Sequence, residues 1–215
     1  HTIYKLVTGV QTCALPIYRT VRSRGIFMEH AAPEGSGAMS AVLGMDASVI
    51  ENVLNGREGV SIANYNCPGQ IVITGEADAV AEAGTVLKEA GARRVLPLKV
   101  SGPFHSPMMR PAGEELAKVF ARVSMNPLKI PYVANINAEV ITDCGRIEGL
   151  LVEQVSGSVR WQQSVETMIR EGVDTFVEIG PGKTLTGFLR KIDKNVKAYH
   201  IGSWEEAVQV CEELK

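Results

Sequence analysis

Apolar and polar residues alternate with two different periods along this chain, and those periods predict where strands and helices lie. Between residues 38 and 97, short β-rich runs flank two segments with helical spacing, and turns rich in glycine or proline separate them. The predicted elements are strand Ala38–Leu43, helix Ala47–Asn55 with Asp46 as its N-cap, strands Val60–Asn64 and Gln70–Thr74, helix Glu76–Ala90 ended by Gly91, and strand Arg93–Pro97. Their β-α-β-β-α-β order is that of the split βαβ, ferredoxin-like arrangement.

The segments on either side of this unit alternate helices with strands. A helix is predicted over Arg19–Ala32, because apolar residues recur at helical spacing up to the turn Pro33-Glu34-Gly35. The later predicted elements are helix Pro111–Val123, strand Ile130–Asn135, helices Ile147–Val155 and Val159–Arg170, a buried strand Thr175–Ile179, helix Lys183–Lys191, strand Val196–Ile201 and helix Ser203–Leu214. We therefore expect an α/β protein with a parallel sheet in a large subdomain, residues 18–35 and 100–215, and an inserted ferredoxin-like subdomain, residues 36–99.

Composition narrows the class of protein. The chain has 215 residues, 45% of them hydrophobic, and a formal net charge of −2, with no basic stripe that would indicate a nucleic-acid partner. No apolar run reaches the roughly 18–20 residues that a membrane span needs. The four cysteines lack both the CxxC spacing and a neighbouring histidine cluster. We interpret them as reduced thiols of a cytoplasmic protein, with neither a disulfide framework nor a metal site.

The first 17 residues do not resemble the start of a folded domain. The stretch VTGVQTCALPI is what translation of a common sequencing-library adapter produces. The segment also lacks the basic, apolar and small-residue order of a targeting peptide. We expect residues 1–17 to be a translated cloning or assembly scar, with the native gene cut at its 5′ side and Cys13 without functional meaning. A divergent native strand is the alternative.

Two residues stand out as candidates for chemistry, and the residue pattern alone leaves both open. His105 lies just past a strand-like run, in the turn VSGPFHSPMM, where functional side chains are often displayed; it is either a base or a structural histidine. Arg24 lies within the first predicted helix. It is either a solvated charge or a planar clamp for a substrate carboxylate.

Two other motifs are interpreted as structural. The run Gly180-Pro181-Gly182-Lys183-Thr184 resembles a phosphate loop, but such a loop needs a glycine where Val177 stands. We therefore predict a tight strand-to-helix turn. Cys67 could pair with His105 as a thiol nucleophile, but nothing in the sequence places it beside a cation or at a helix N-terminus. A turn cysteine is the preferred interpretation.

Six segments, in order along nearly all of the chain after Arg19, carry a family resemblance. They are RGIFMEHAAPEGSGAMSAVLGM, IANYNCPGQIVITGE, VSGPFHSPMMRPA, PYVANINAEVITD, QVSGSVRW and FVEIGPGKTLTGFLRK. With them the chain resembles the malonyl-CoA:acyl carrier protein transacylases of type II fatty acid synthesis. The resemblance implies an α/β-hydrolase-like subdomain, here partial, with a ferredoxin-like insert. It implies His105 as general base and acid, Arg24 as the malonyl carboxylate ligand, the Gln154 backbone carbonyl as the group that orients His105, and Phe104 as an acyl-selectivity residue.

The same resemblance implies the activity and the partners. The activity is malonyl transfer from coenzyme A to the phosphopantetheine thiol of acyl carrier protein through a serine ester, without cofactor or metal. The family serine lies in a Gly-His-Ser-Leu-Gly motif that this chain does not contain, so we expect the chain by itself to be inactive. Malonyl-CoA and acyl carrier protein are the expected partners, with no nucleic acid or membrane, and a monomer is favoured.

Three other functions are alternatives to this one. The first is an acyltransferase of a polyketide pathway, which the sequence around His105 does not distinguish. The second is a non-catalytic module that binds acyl carrier protein through the insert. The third is a hydrolase of the same fold, which lacks support because a hydrolase does not need Arg24.

Overall fold

The structure, a computed structural model, describes residues 17–215, so the predicted scar lies outside the described residues except for Ile17, and Cys13 lies outside as well. Within the described part, helix α1 spans residues 17–30. The helix predicted over Arg19–Ala32 is confirmed, but it ends at His30. It ends there because Pro33 disfavours helical backbone in the residue before it.

A four-stranded antiparallel sheet follows α1. Its elements are β1 (Gly37–Leu43), α2 (Ala47–Leu54), β2 (Val60–Cys67), β3 (Gln70–Glu76), α3 (Ala77–Glu89) and β4 (Arg94–Pro97). The strands lie in the order β2-β3-β1-β4, and every neighbouring pair is antiparallel. The predicted strands and helices here are confirmed, with ends shifted by up to three residues. We call the unit from β1 to β4 the insert.

The insert buries apolar side chains against its two helices. Val42, Ile50, Ile73 and Leu87 have no exposed surface and belong to one cluster. Burying side chains of this size contributes about 1.5–3 kcal/mol each to folding. The predicted N-cap role of Asp46 is wrong for the side chain, which makes no capping hydrogen bond. The Asp46 backbone carbonyl instead accepts from the amides of the first helical turn.

The rest of the chain carries helices and short strands. A 3-10 helix at Pro107–Met109 leads into α4 (Arg110–Phe120), and a hairpin of β5 (Tyr132–Val133) and β6 (Val140–Ile141) follows. The remaining elements are a 3-10 turn at Cys144–Arg146, α5 (Ile147–Ser156), α6 (Trp161–Arg170), β7 (Thr175–Ile179), α7 (Thr184–Ile192), β8 (Lys197–Ile201) and α8 (Trp204–Glu213).

Two predicted element boundaries in this region need correction. The strand predicted over Ile130–Asn135 is reduced to Tyr132–Val133, because only these two residues pair with β6. The helix predicted from Val159 begins at Trp161 instead, because the backbone of Val159 is extended and bridges to β2.

Strands β7 and β8 form a parallel pair. The prediction that β7 is buried is wrong for the described residues, since 77% of Ile179 is exposed. The protein is therefore a mixed α/β structure with an antiparallel sheet and a parallel pair. Within residues 17–215, no helix combines the length and apolarity that crossing a bilayer requires.

Candidate active site

The backbone of the turn around His105 is held in an uncommon conformation. His105 has a φ of 59°, in the left-handed region that non-glycine residues rarely adopt. Ser106 is fully buried; its hydroxyl donates to the carbonyl of Pro103 at 2.7 Å and accepts from the amide of Met108 at 3.3 Å. Such backbone costs of order 1–3 kcal/mol and persists only where neighbouring contacts enforce it. The Ser106 hydrogen bonds supply that enforcement.

The His105 ring meets the C-terminal end of α5. Its Nδ1 lies 2.9 Å from the Gln154 carbonyl oxygen and 3.1 Å from the Gly157 carbonyl oxygen. Because both neighbours are acceptors, Nδ1 must carry the hydrogen, and in the neutral ring Nε2 holds the lone pair. That arrangement is the one a general base needs at Nε2.

Burial keeps this ring uncharged near neutral pH. Burial is the largest influence and lowers the pKa of His105 below its ordinary value. The hydrogen bonds to the Gln154 and Gly157 carbonyls raise it, and the positive charge of Arg24 lowers it further. The outcome is a pKa below the usual value of 6.5, so the ring is a proton acceptor at neutral pH.

Arg24 reaches the neighbourhood of His105 from α1. Its side chain is half-buried, and burial lowers the pKa of the guanidinium. Among residues 17–215, no carboxylate forms an ion pair with Arg24. A desolvated cation without a counter-charge is energetically unfavourable, which makes this guanidinium a suitable ligand for an anionic group.

One apolar cluster brings α1, the His105 turn and α5 together. Met28 of α1, Met109 after the His105 turn and Val155 of α5 are buried in it, alongside Leu116 and Phe120 of α4. The helical spacing of α1 places Arg24 one turn before Met28, on a neighbouring part of the same face. The packing of Met28 therefore holds Arg24 near His105.

Phe104 lies between two clusters. It is partly buried and packs both on the cluster of Met28 and Met109 and on a second cluster, at the β2-β3-β1 face of the insert. The second cluster contains Met39, Ala41, Ala63 and Val72. Phe104 therefore contributes to packing, whatever its effect on acyl groups.

Sequence reasoning missed the roles of two side chains in the segment that contacts the imidazole. The side-chain amide of Gln154 donates to the carbonyls of Gly157 at 2.9 Å and Ser158 at 3.2 Å. The hydroxyl of Ser158 donates to the carbonyl of Ile62 in β2. Serine and glycine after a helix indicate a cap or turn, but no local signal predicts that they contact an insert almost a hundred residues earlier.

The structure supports the structural interpretation of the Gly180-Pro181-Gly182 turn. The carboxylate of Glu178 accepts from the amides of Leu185 at 3.1 Å and Thr186 at 2.8 Å, at the start of α7. Those amides are the donors that a phosphate loop would offer. Because a carboxylate already occupies them, they are not available to a phosphate.

Cys67 is buried at the end of β2. Burial raises the pKa of its thiol, against a smaller opposite effect of the Lys191 charge. A thiol with a raised pKa is a poor nucleophile near neutral pH. Among the described residues, no group of three or more His, Cys, Asp or Glu side chains is arranged to hold a metal ion.

Comparisons with known proteins identify relatives of the chain. A malonyl CoA-acyl carrier protein transacylase of Bacillus subtilis (strain 168) is 44% identical over 200 residues, which cover 91% of this chain and 63% of that protein. The Escherichia coli (strain K12) protein of the same name is 44% identical over 177 residues, which cover 81% of this chain and 57% of that protein. The chain thus spans between 57% and 63% of the length of these relatives.

Solved structures give the same picture. The malonyl CoA-acyl carrier protein transacylase of Clostridium perfringens matches with a TM-score of 0.87 and 40% identity, covering 91% of this chain and 63% of that chain. A malonyl-transacylase in complex with a type II PKS acyl-carrier protein matches with a TM-score of 0.85 and 37% identity, and the match covers 91% of this chain and 64% of that chain. The family model of the acyl transferase domain matches residues 16–210. The chain belongs to the acyl transferase domain family.

Proposed function

We propose that the full-length protein transfers a malonyl group from coenzyme A to the phosphopantetheine thiol of acyl carrier protein. One observation carries the proposal: the guanidinium of Arg24 is half-buried without a carboxylate partner among residues 17–215, and it lies near enough to His105 for its charge to disfavour the protonated imidazole. A base and an anion ligand in one neighbourhood fit acyl transfer of a substrate with a carboxylate tail. The names of the relatives support malonyl-CoA and acyl carrier protein as substrates.

The division into subdomains is part of the proposal. Residues 36–99 form a ferredoxin-like subdomain, supported by the β-α-β-β-α-β order and by the strand order β2-β3-β1-β4. Residues 18–35 and 100–215 belong to a partial α/β-hydrolase-like subdomain, to which the parallel pair β7-β8 belongs. The site lies where the two subdomains meet, since Phe104 packs on the clusters of both.

In the first half-reaction, His105 Nε2 takes the proton of a serine hydroxyl as the serine oxygen attacks the malonyl thioester carbonyl. The tetrahedral oxyanion forms and collapses; the carbon–sulfur bond breaks, and the thiolate of coenzyme A receives the proton from His105. A malonyl-serine ester remains. The Nδ1–H bonds to the Gln154 and Gly157 carbonyls hold the ring and stabilise its protonated state.

In the second half-reaction, the phosphopantetheine thiol gives its proton to His105 as its sulfur attacks the ester. Collapse of the second oxyanion breaks the ester bond, and His105 returns the proton to the serine oxygen. Arg24 binds the malonyl carboxylate in both halves through a charge-assisted pair of hydrogen bonds. Phe104 limits the space beside the α-carbon and so favours an unbranched acyl group.

The serine itself is not part of this chain. The 215 residues contain no Gly-His-Ser-Leu-Gly motif, so we expect the chain alone not to form an acyl-enzyme. Incubation with malonyl-CoA followed by intact-mass spectrometry tests this directly. A stable malonyl adduct on this chain would contradict the proposed serine.

The first test of the site is the substitution His105→Ala in the full-length protein. Loss of the base is expected to lower kcat for malonyl transfer by about 10²- to 10⁴-fold, the usual contribution of general acid–base catalysis. His30→Ala is the matched control, because His30 is exposed on α1 and its side chain, within residues 17–215, hydrogen-bonds only the Ile26 carbonyl of its own helix. Near-normal transfer by His105→Ala would remove His105 from the mechanism.

The second test separates malonyl from acetyl transfer. Arg24→Ala is expected to lower kcat/KM for malonyl-CoA roughly 10- to 100-fold more than for acetyl-CoA, since hydrogen bonds to charged groups are worth about 1.5–3 kcal/mol. Arg22→Ala, an exposed arginine of the same helix, is the control. Equal losses for the two substrates would make Arg24 a structural residue.

The pH dependence follows from the lowered pKa of His105. The base is active only when uncharged, so kcat/KM should fall on the acid side with a midpoint below pH 6.5. The free energy of unfolding should also decrease as the pH falls. The unfolded state takes up the proton at higher pH than the folded state, so the contribution of His105 is complete above 6.5 and is lost as pH falls through the folded pKa.

An acyltransferase of a polyketide pathway is the second candidate. It is favoured by the similarity to a malonyl-transacylase solved with a type II PKS acyl-carrier protein. Rates with purified carrier proteins of the two pathways discriminate: a preference for the fatty-acid carrier supports the first candidate, and the reverse supports the second. Carrier binding by a full-length protein that transfers no acyl group would instead indicate a binding module.

A further inference from the structure

The carbonyl of Gly157 is shared by two donors. It accepts from His105 Nδ1 at 3.1 Å and from the side-chain amide of Gln154 at 2.9 Å. The same amide reaches the Ser158 carbonyl at 3.2 Å. The side chain of Gln154 thus fixes the peptide that supplies the second acceptor of the imidazole, separately from its own backbone carbonyl, which supplies the first.

Gly157 is also confined from inside the large subdomain. A Cβ at this position would overlap Cδ1 of Ile136 and would lie 3.1 Å from the carbonyl oxygen of Glu153. A side chain at this position would have to displace the end of Ile136 and would crowd the Glu153 carbonyl, so glycine suits this close approach. The inner side of the 157–159 segment is therefore held by packing.

The outer side of the segment is held by the insert. The amide of Val159 donates to the Ala63 carbonyl at 2.7 Å, and the amide of Tyr65 donates to the Val159 carbonyl at 2.9 Å. The Ser158 hydroxyl adds a hydrogen bond to the Ile62 carbonyl. These three bonds pair the segment in parallel with β2, the edge strand of the insert.

An irregularity in β2 lies at this junction. The register of β2 against β3 shifts between Ile62 and Asn64, which leaves Ala63 without a partner in β3. Bulges of this kind bend a strand and redirect its groups. The Ala63 carbonyl is the group that binds Val159, so the bulge and the docking of the segment coincide.

We infer that the Gln154 amide and the Ser158 hydroxyl are positioning groups for His105, and that they act by fixing residues 157–159 between the imidazole and β2 of the insert. The inference rests on the proposed function only in giving His105 the role of base. The insert thereby controls which ring nitrogen of His105 carries the proton.

The test reads the tautomer of His105 in this 215-residue chain, by NMR of ¹⁵N-labelled histidine at a pH where the ring is neutral. His105→Gln identifies the signals of His105 by their loss. The unaltered chain is expected to show the Nδ1–H tautomer. Ser158→Ala and Gln154→Met are each expected to lower the ratio of Nδ1–H to Nε2–H about five-fold, the effect of one ordinary hydrogen bond.

Thr85→Ala is the matched control, because the Thr85 hydroxyl also donates to a backbone carbonyl, that of Ala81, at 3.2 Å on the exposed side of α3. It should leave the ratio unchanged. Gln154→Met keeps the length of the side chain while removing its donors, so a shift in a folded Gln154→Met protein supports the inference even if Ser158→Ala folds poorly.

Three results would overturn the inference: an Nε2–H tautomer in the unaltered chain, an unchanged ratio in both variants, or an equal shift in Thr85→Ala. A shift in Gln154→Met with none in a folded Ser158→Ala would overturn the role of the insert. The NMR readout needs no acyl transfer, so it stands even if the proposed function fails.

In the full-length protein, Ser158→Ala should lower kcat about five-fold and leave KM unchanged.

Discussion

The insert and the parallel pair β7-β8 contain similarly apolar strands, but the side chains of these strands are covered to different extents by neighbouring elements. Both faces of the insert sheet are covered, one by α2 and α3 and the other by a cluster that includes Phe104. In the pair β7-β8, Ile179 is 77% exposed and Val177 36% exposed among the described residues. The difference teaches that an apolar run predicts a strand, whereas burial depends on the elements that pack against it.

The largest expected effect on stability is the difference between two isoleucine-to-alanine substitutions, one in the insert and one in β7. Ile73→Ala empties a fully buried position of the insert and should lower the free energy of unfolding by about 2–5 kcal/mol. Ile179→Ala at the exposed end of β7 should change it by no more than about 0.5 kcal/mol. Urea denaturation of both variants measures the contrast, and equal losses would show that β7 is buried in solution.

A middle-sized effect is expected at the start of α7. Burial raises the pKa of Glu178, but hydrogen bonds from Thr186 and Leu185 outweigh it and bring the pKa below its ordinary value. Glu178→Ala removes the acceptor of these amides and should cost about 1 kcal/mol of stability, as loss of a helix cap does. The loss should be complete above pH 4.5 and should fade at lower pH, where the carboxylate takes up a proton.

The control for this substitution is Glu212→Ala in α8, an exposed carboxylate whose side chain forms no hydrogen bond within the described residues. Thermal unfolding at two pH values compares the two variants. A loss that is the same in both variants, or that persists unchanged in acid, would contradict the capping role of Glu178.

The smallest expected effects on stability come from two glycine-to-alanine substitutions, one in α7 and one at the end of α3, and they have opposite signs. Gly187 lies inside α7 with open space around its missing Cβ, so Gly187→Ala should stabilise the protein by about 0.5–1 kcal/mol. Gly91 ends α3 with a φ of 104°, so Gly91→Ala should destabilise it. Melting temperatures report both changes, and a gain in both variants would mean that the backbone at residue 91 relaxes without cost.

The sequence predicted the insert well because its elements are locally encoded. Alternating apolar residues and turn glycines such as Gly69 and Gly91 fix strand and helix ends from neighbouring residues. The sequence predicts Val159 within a helix, whereas the structure begins α6 at Trp161. The extended backbone of Val159 depends on β2, a contact between residues far apart in sequence, which local periodicity does not encode.

The candidate site also has parts that the sequence predicts and parts that it does not. His105 and Arg24 were recognisable by residue type, and their proposed roles come from the family resemblance. The acceptors of His105 are backbone carbonyls, and every residue type carries a carbonyl, so the side-chain pattern gives no signal for them. The Gln154 amide binds backbone carbonyls three and four residues further along the chain, and carbonyls give no side-chain signal. The Ser158 hydroxyl binds the Ile62 carbonyl of β2, which lies far away in sequence.

The pairing of Val159 with β2 also bears on self-association. An uncovered strand at the rim of a sheet offers its free amides and carbonyls to any other chain that presents an extended segment. At Ala63 and Tyr65 those groups are already bonded to Val159. A variant that releases this segment would therefore expose a template for intermolecular strand addition, and precipitation would accompany the loss of the histidine geometry.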